Sequence, residues 1–197
     1  MTQKPLLLVF TKAPYYGQAK SRLAAGIGKV HAARLYRAMI ARVLRNVRDP
    51  RWETVLYVTP DKDAARLFGG IWPASLVRRV QGQGSLSPRL ARALDAKRPI
   101  AVIGTDCPQV RARDVACGFK ALKSSKAVFG PADDGGFWLM AMHGPVPAGV
   151  FDGVAWSTDT ALSDVERNLG FDAARLRTLI DVDDIAALNA VRAMRNR

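Results

Sequence analysis

Short apolar runs and amphipathic stretches alternate along the chain. Residues 6–10, LLLVF, are continuously apolar, as a strand covered on both faces is. Between 29 and 48, Tyr36, Ile40, Val43 and Val47 recur at helical spacing, with Arg34, Arg37, Arg45 and Arg48 opposite, which predicts a helix with a solvated basic face. The same reading predicts strands over 54–58, 76–80, 100–104, 127–129, 137–142 and 178–180. It predicts a short helix near 62–68 and helices over 86–97, 113–122, 160–169 and 184–194. Alternating strands and helices imply an α/β fold, a mostly parallel sheet in a three-layer αβα sandwich. No linker, repeat or low-complexity segment interrupts the sequence, so one domain over 1–197 is expected.

Composition adds two constraints. Nearly half the residues are hydrophobic, enough for a single core, yet no apolar run approaches the roughly 20 residues that span a bilayer. The N-terminus lacks the pattern of a secretory signal. The two cysteines, Cys107 and Cys117, form no C-x-x-C pair. A reducing, cytoplasmic setting is therefore expected, with both thiols buried and neither a disulfide framework nor a zinc site. The formal charge is +13, and residues 1–51 carry eleven lysines and arginines against one acid, Asp49. Such a field favours anionic partners, phosphorylated small molecules or nucleic acid.

Ligands of parallel sheets bind beyond the carboxyl ends of the strands. Three strand ends carry chemistry there. After the first strand comes FTKAPYYGQAKSRL, a loop with Lys12, Gly17, Lys20 and Arg22. A glycine that lets backbone approach closely, beside cations that donate charge-assisted hydrogen bonds, suits a polyphosphate. The loop matches neither the Walker pattern nor G-x-G-x-x-G, and a basic surface loop would look the same. Asp106 follows a second strand in VIGTDCP, and Asp133 and Asp134 follow a third in FGPADDGGFWLM. Carboxylates facing a cationic loop form the pattern for Mg²⁺ or Mn²⁺ on nucleotide phosphates.

Taken in order, FTKAPYYGQAKSRL, GTDCPQV, FGPADDGGFWLMAM, VAWST and LIDVDD resemble a family of small bacterial transferases with the nucleotide-diphospho-sugar transferase (GT-A-like) fold, usually labelled glycosyltransferase. The resemblance runs nearly end to end. The first block is also similar to the guanylyltransferases of deazaflavin-cofactor biosynthesis. The resemblance implies that Lys12, Lys20 and Arg22 hold phosphates and that Asp106 is the metal aspartate. It implies that Asp134 lines the acceptor side or completes the metal shell, and that Gln81 and Gly82 lie near the nucleotide. Arg89 also matches, as do Gly135, Gly136, Trp156, Ser157 and Thr158 on the acceptor side. Three positions depart from the family's pattern. Ser85 and Ala187 stand where it has aspartates, and Cys107 stands where serine is common.

Other residues have plainer readings. Asp181 and Asp183 spell D-x-D just before the last helix, and N-capping is the expected role. Phe137 and Trp138 are expected in the core. Tyr15 and Tyr16 suit either stacking on a base or a mobile loop tip. His31 and His143 have no catalytic partner in the sequence. Three functions remain open. The first is a metal-dependent transferase passing a sugar from a nucleotide donor to a small acceptor. The second is a nucleotidyltransferase joining a nucleoside triphosphate to a phosphorylated or phosphonate acceptor. The third is a catalytically weakened nucleotide- or RNA-binding protein. Nucleic acid is the least favoured partner, because the basic stripe has no interleaved aromatics.

Overall fold

A computed structural model describes residues 3–195. Its strands are β1 (Leu6–Lys12), β2 (Glu53–Thr59), β3 (Val77–Val80), β4 (Pro99–Ile103), β5 (Ala127–Pro131), β6 (Phe137–His143) and β7 (Ala174–Arg175). Its helices are α1 (Ser21–Ile27), α2 (Lys29–Asn46), α3 (Leu86–Ala93), α4 (Ala112–Ala121), α5 (Ala161–Leu169) and α6 (Ile185–Arg195). The strands form one sheet in the order β3-β2-β1-β4-β6-β5-β7. Neighbours pair in parallel except β6, which runs antiparallel to both β4 and β5.

Alternation along β1 builds the three layers. Leu7 and Val9 join Tyr36, Ile40, Val43 and Val47 of α2 and Val115 of α4 on one face. Leu6 and Leu8 join Leu90 of α3 and Leu162, Val165 and Leu169 of α5 on the other. β1 is thus covered on both faces, which is why its sequence is continuously apolar, whereas the edge strand β3, VRRV, is largely exposed. A third cluster, Leu23, Ala32, Met39, Val182, Leu188 and Val191, packs α1 and α6 against α2.

The antiparallel insertion of β6 follows from the short connection before it. Only residues 132–136 separate it from β5, and so brief a link can join only antiparallel neighbours. Gly135 makes the turn at φ 87°, where a Cβ would stand 2.2 Å from the Asp159 backbone. Its N–H donates to the Ala132 carbonyl, and the Ala132 N–H donates to that of Gly136. Since β6 begins where β4 ends, this turn brings Asp133 and Asp134 to the edge that carries Asp106.

Several sequence-based elements move. The segment near 62–68 is not a helix but two single 3₁₀ turns, Asp61–Asp63 and Phe68–Gly70. The strand expected over 178–180 is replaced by β7 at 174–175 and one isolated bridge, Ala132 to Leu179. The basic loop after β1 is shorter than expected, because its end winds into α1. Cys107 is buried as expected, whereas Cys117 is exposed on α4.

Candidate functional site

The central feature is the side chain of Lys20. Its backbone takes the left-handed conformation, φ 57°, at the start of α1, an arrangement that disfavours a non-glycine residue and therefore calls for a reason. The ammonium is almost fully covered and lies 2.6 Å from Asp106 Oδ1, 3.5 Å from Asp181 Oδ1 and 3.4 Å from Asp183 Oδ1. Burial opposes the charge, yet the three carboxylates hold Lys20 protonated well above the usual lysine range. Arg22 reaches Asp183 at 3.3 Å from an exposed position.

These contacts correct the reading of Asp181 and Asp183 as helix caps. The cap of α6 is Asp184, whose Oδ1 accepts the Ala187 N–H at 2.8 Å. Asp181 and Asp183 instead face the β1 loop. The Asp181 backbone is held by Asp133, whose Oδ1 accepts its N–H at 2.9 Å, and Val182 donates its N–H to the Asp106 carbonyl at 3.0 Å. Burial and the charge of Asp106 push the Asp181 carboxyl up to about 7, against the pull of Lys20.

This has a consequence for stability without metal. A carboxyl raised from its ordinary value near 4 to about 7 keeps a proton in the folded chain that the unfolded chain has released. Stability therefore falls as pH rises from about 4 to about 7, by at most about 1.4 kcal/mol per pH unit. Chemical denaturation in chelator at several pH values checks this. Asp181→Asn should abolish the difference in slope, and excess Mg²⁺ should suppress it in the native chain. Equal slopes for both proteins would refute the assignment.

Lys20 leaves one flank of Asp106 open to a cleft of about 290 Å³. Asp106, Asp134 and Asp181 line it together with Gly136, Trp156, Ser157 and Thr158. Asp134 is exposed and its Oδ1 accepts the Gly136 N–H at 3.0 Å. Trp156 is fixed by a relay. Its indole N–H donates to Ser87 Oγ, whose hydroxyl donates to the Phe151 carbonyl, each at 2.9 Å. Thr158 donates to the Ala155 carbonyl at 2.7 Å, closing a turn in which Ser157 takes φ 65°.

The remaining residues of interest gather outside this cleft. Lys12 is exposed and donates to the Gln18 carbonyl at 2.7 Å, and Gly17 stands in open space at φ 71°. Gln81 is buried and its amide joins the Thr11 and Tyr57 carbonyls at 3.1 and 3.0 Å, so it ties the ends of β1 and β2 together. The Gly82 N–H donates to Asp61 at 3.0 Å. Arg89 donates to Thr59 Oγ1 at 3.2 Å, and its buried Nε has no partner among the described residues. Tyr15 is half-buried and anchored, not a mobile loop tip. It donates to Asp63 at 2.6 Å and meets Phe68 edge-on. Tyr16 is exposed. Trp138 is core, its indole N–H donating to the Arg177 carbonyl, whereas Phe137 is half-buried and lines the cleft. Burial raises the Cys107 thiol well above its ordinary value, which leaves it inert.

A model of the bacterial family described as "Uncharacterized protein conserved in bacteria (DUF2064)" matches residues 42–158, more than half the chain. The chain belongs to this family. No curated protein matches this DUF2064 member. Among solved structures, it is similar to a Desulfovibrio desulfuricans G20 protein provisionally described as a nucleotide-diphospho-sugar transferase, with TM-score 0.85 and 24% identity over 96% of this chain and 87% of that one. It is similar to CMP:2-keto-3-deoxy-manno-octonic acid synthetase in complex with CTP, with TM-score 0.55 and 14% identity over 98% and 99% of the two chains. It is also similar to Rv0371c of Mycobacterium tuberculosis H37Rv in complex with manganese, with TM-score 0.50 and 16% identity over 96% and 98%. At these identities the likeness is one of fold, and the fold is that of the nucleotide-diphospho-sugar transferases.

The donor set can be tested for a divalent cation. Asp106, Asp181 and Asp183 offer hard oxygens, as Mg²⁺ and Mn²⁺ require, and burial together with the neighbouring carboxylates raises Asp181. Among the described residues no three such side chains already converge as a cage, because Lys20 stands between them. The chemistry of the set therefore fits a cation, provided that Lys20 turns away.

Proposed function

We propose that the protein is a metal-dependent transferase that binds a nucleotide-sugar donor and passes the sugar to a small acceptor. The observation that carries this is Lys20 bridging carboxylates from two segments of the strand-end edge, 2.6 Å from Asp106, beside an open cleft. With a metal and a nucleotide bound, the carboxylates would hold the cation and the Lys20 ammonium would be released to the phosphates.

In this reading Lys20 and Arg22 hold the phosphates, joined by Lys12 at the end of β1, which would give up its bond to the Gln18 carbonyl. Arg89, whose Nε has no partner among the described residues, would serve the nucleotide side together with Gln81 and Gly82. Asp106 and Asp181 hold the metal, with Asp183 or Asp134 completing the shell. When bound, the metal neutralises phosphate charge and stabilises charge on the leaving oxygen. Asp134 orients the acceptor and takes its proton. The new bond forms at the sugar's anomeric carbon, and its bond to the diphosphate breaks with the electron pair leaving on the nucleoside diphosphate. The alternative is nucleotidyl transfer with release of pyrophosphate, favoured by the CTP-bound structure of like fold.

A thermal-shift screen of nucleoside triphosphates and nucleotide sugars, each with Mg²⁺ or Mn²⁺, tests the reading. A ligand at 100 times its dissociation constant stabilises by about 2.7 kcal/mol. Free nucleoside diphosphate as product supports sugar transfer and pyrophosphate the alternative; no shift with any nucleotide refutes both. Arg22→Ala should weaken diphosphate binding about tenfold to a hundredfold and leave nucleoside binding unchanged. Arg22→Lys should recover part of the loss, since lysine lacks the planar fork. An equal loss for nucleoside and diphosphate would mean that Arg22 only orders the loop.

A further inference from the structure

The cleft beside Asp106 has a composition that bears on its second substrate. The cations of the site, Lys12, Lys20, Arg22 and Arg89, are absent from its lining, as is every other lysine, arginine and histidine. Three aspartates are present, and the rest of the wall is mainly apolar, with Phe10, Leu86, Leu90, Phe137 and Trp156. Lys20 already answers Asp106 and Asp181, and a metal with its nucleotide would do the same. Asp134 has no ion-pair partner among the described residues, although its Oδ1 accepts the Gly136 N–H.

We infer that the acceptor is an uncharged or cationic molecule with an apolar body of aromatic size, bearing a hydroxyl or amine, and not a phosphorylated compound. This rests on the transferase reading above. A phosphate in this cleft would give up its hydration without a cation to replace it, and would face the Asp134 carboxylate. An apolar body gains from leaving water against Trp156 and Phe137. The indole is preset for that contact. Its ring meets Phe137 at 6.1 Å and Phe151 at 6.0 Å between centroids, and its N–H is engaged by Ser87, so the exposed part of the ring needs no reorganisation to receive a ligand. An ammonium on the acceptor would pair with Asp134, and a hydroxyl would donate to it. The surplus cations near the nucleotide therefore serve one anionic substrate, not two.

The test uses benzyl alcohol, benzylamine and benzyl phosphate, which share one body and differ in charge. Each is titrated into the full chain, alone and with Mg²⁺ and the nucleoside diphosphate that shifts the melting point most. The Trp156 indole N–H is followed by NMR and assigned by its loss in Trp156→Phe. The other tryptophans, Trp52, Trp72 and Trp138, are buried and should not respond. Benzyl alcohol and benzylamine should move the Trp156 resonance, with benzyl phosphate about tenfold weaker. Asp134→Asn, which keeps the acceptor for the Gly136 N–H, should narrow that gap several-fold by strengthening benzyl phosphate, and should weaken benzylamine more than benzyl alcohol. Benzyl phosphate binding as tightly as the alcohol, or a Trp156 resonance unmoved by all three probes, overturns the inference. Nucleotide affinity is read in parallel, so a chain that binds the alcohol but no nucleotide would refute the transferase reading separately.

Discussion

Lys20→Met should melt well below the native chain in chelator, and Mg²⁺ should restore most of the difference. Removing one partner of a buried ion pair costs about 3–5 kcal/mol, because the other charge is left uncompensated. Lys20 is only 7% exposed at its side chain, but Asp106 and Asp183 are 38% and 44% exposed, so water takes up part of the loss. About 2 kcal/mol is the expected effect, which for a chain of this size lowers the melting point by about 4–8 °C. The direction of the metal response is the sharper measurement. Without the ammonium, Asp106, Asp181 and Asp183 repel one another with nothing between them, and a divalent cation should bind the variant more tightly than the native chain when nucleotide is absent. With nucleotide the order should reverse, since the phosphates have lost a donor. Calorimetric titration of Mg²⁺ with and without nucleoside diphosphate reads both arms. A variant whose stability ignores Mg²⁺ would show that the carboxylates are a structural brace for the β1 loop and nothing more.

The same residue shows how much of the molecule is legible in its sequence. The central strands were legible because they are buried on both faces, and a strand such as LLLVF can be little else. α1 was not. It is seven residues long, opens on a left-handed lysine and has no capping side chain, so neither period nor cap announces it. The strand expected over 178–180 failed for a related reason. Its apolar run is real, and Leu179 is buried, but the segment makes a single bridge and otherwise serves to carry Asp181 into the site. In the candidate site, Lys20, Asp106 and Asp134 were singled out from their places near strand ends. Asp181 and Asp183 were assigned to capping because LIDVDD ends at a helix. That run offers three aspartates, and the cap is the last of them, Asp184. What separates the cap from the others is a contact with Lys20 that spans 161 residues, which no local pattern contains. The relay from Trp156 through Ser87 was equally hidden, since its partners lie 69 residues apart.

Asp106→Asn should remove the metal-dependent part of nucleotide binding and leave the fold standing. Asparagine has the same shape, and the Asp106 carbonyl that receives the Val182 N–H is untouched. The side chain is 38% exposed, so its hydrogen-bonding groups stay hydrated, and a stability change within about 1 kcal/mol is expected. Lys20 keeps Asp181 and Asp183 as partners. The loss falls on the metal. Altering the shell around a metal ligand typically costs 10–100-fold in affinity, and replacing a charged ligand by an amide should cost about that much or more. Nucleotide affinity measured by calorimetry should then be nearly the same with Mg²⁺ and with chelator, at the level of the native chain in chelator. The pH response should change too. The charge of Asp106 is one cause of the raised Asp181 carboxyl, so without it that carboxyl falls back toward the usual carboxylate range. The decline of metal-free stability between about pH 4 and 7 should become shallower than in the native chain. A variant that binds nucleotide with undiminished dependence on Mg²⁺ would reduce Asp106 to a turn residue and move the metal, if one binds, to the Asp181 side of the cleft.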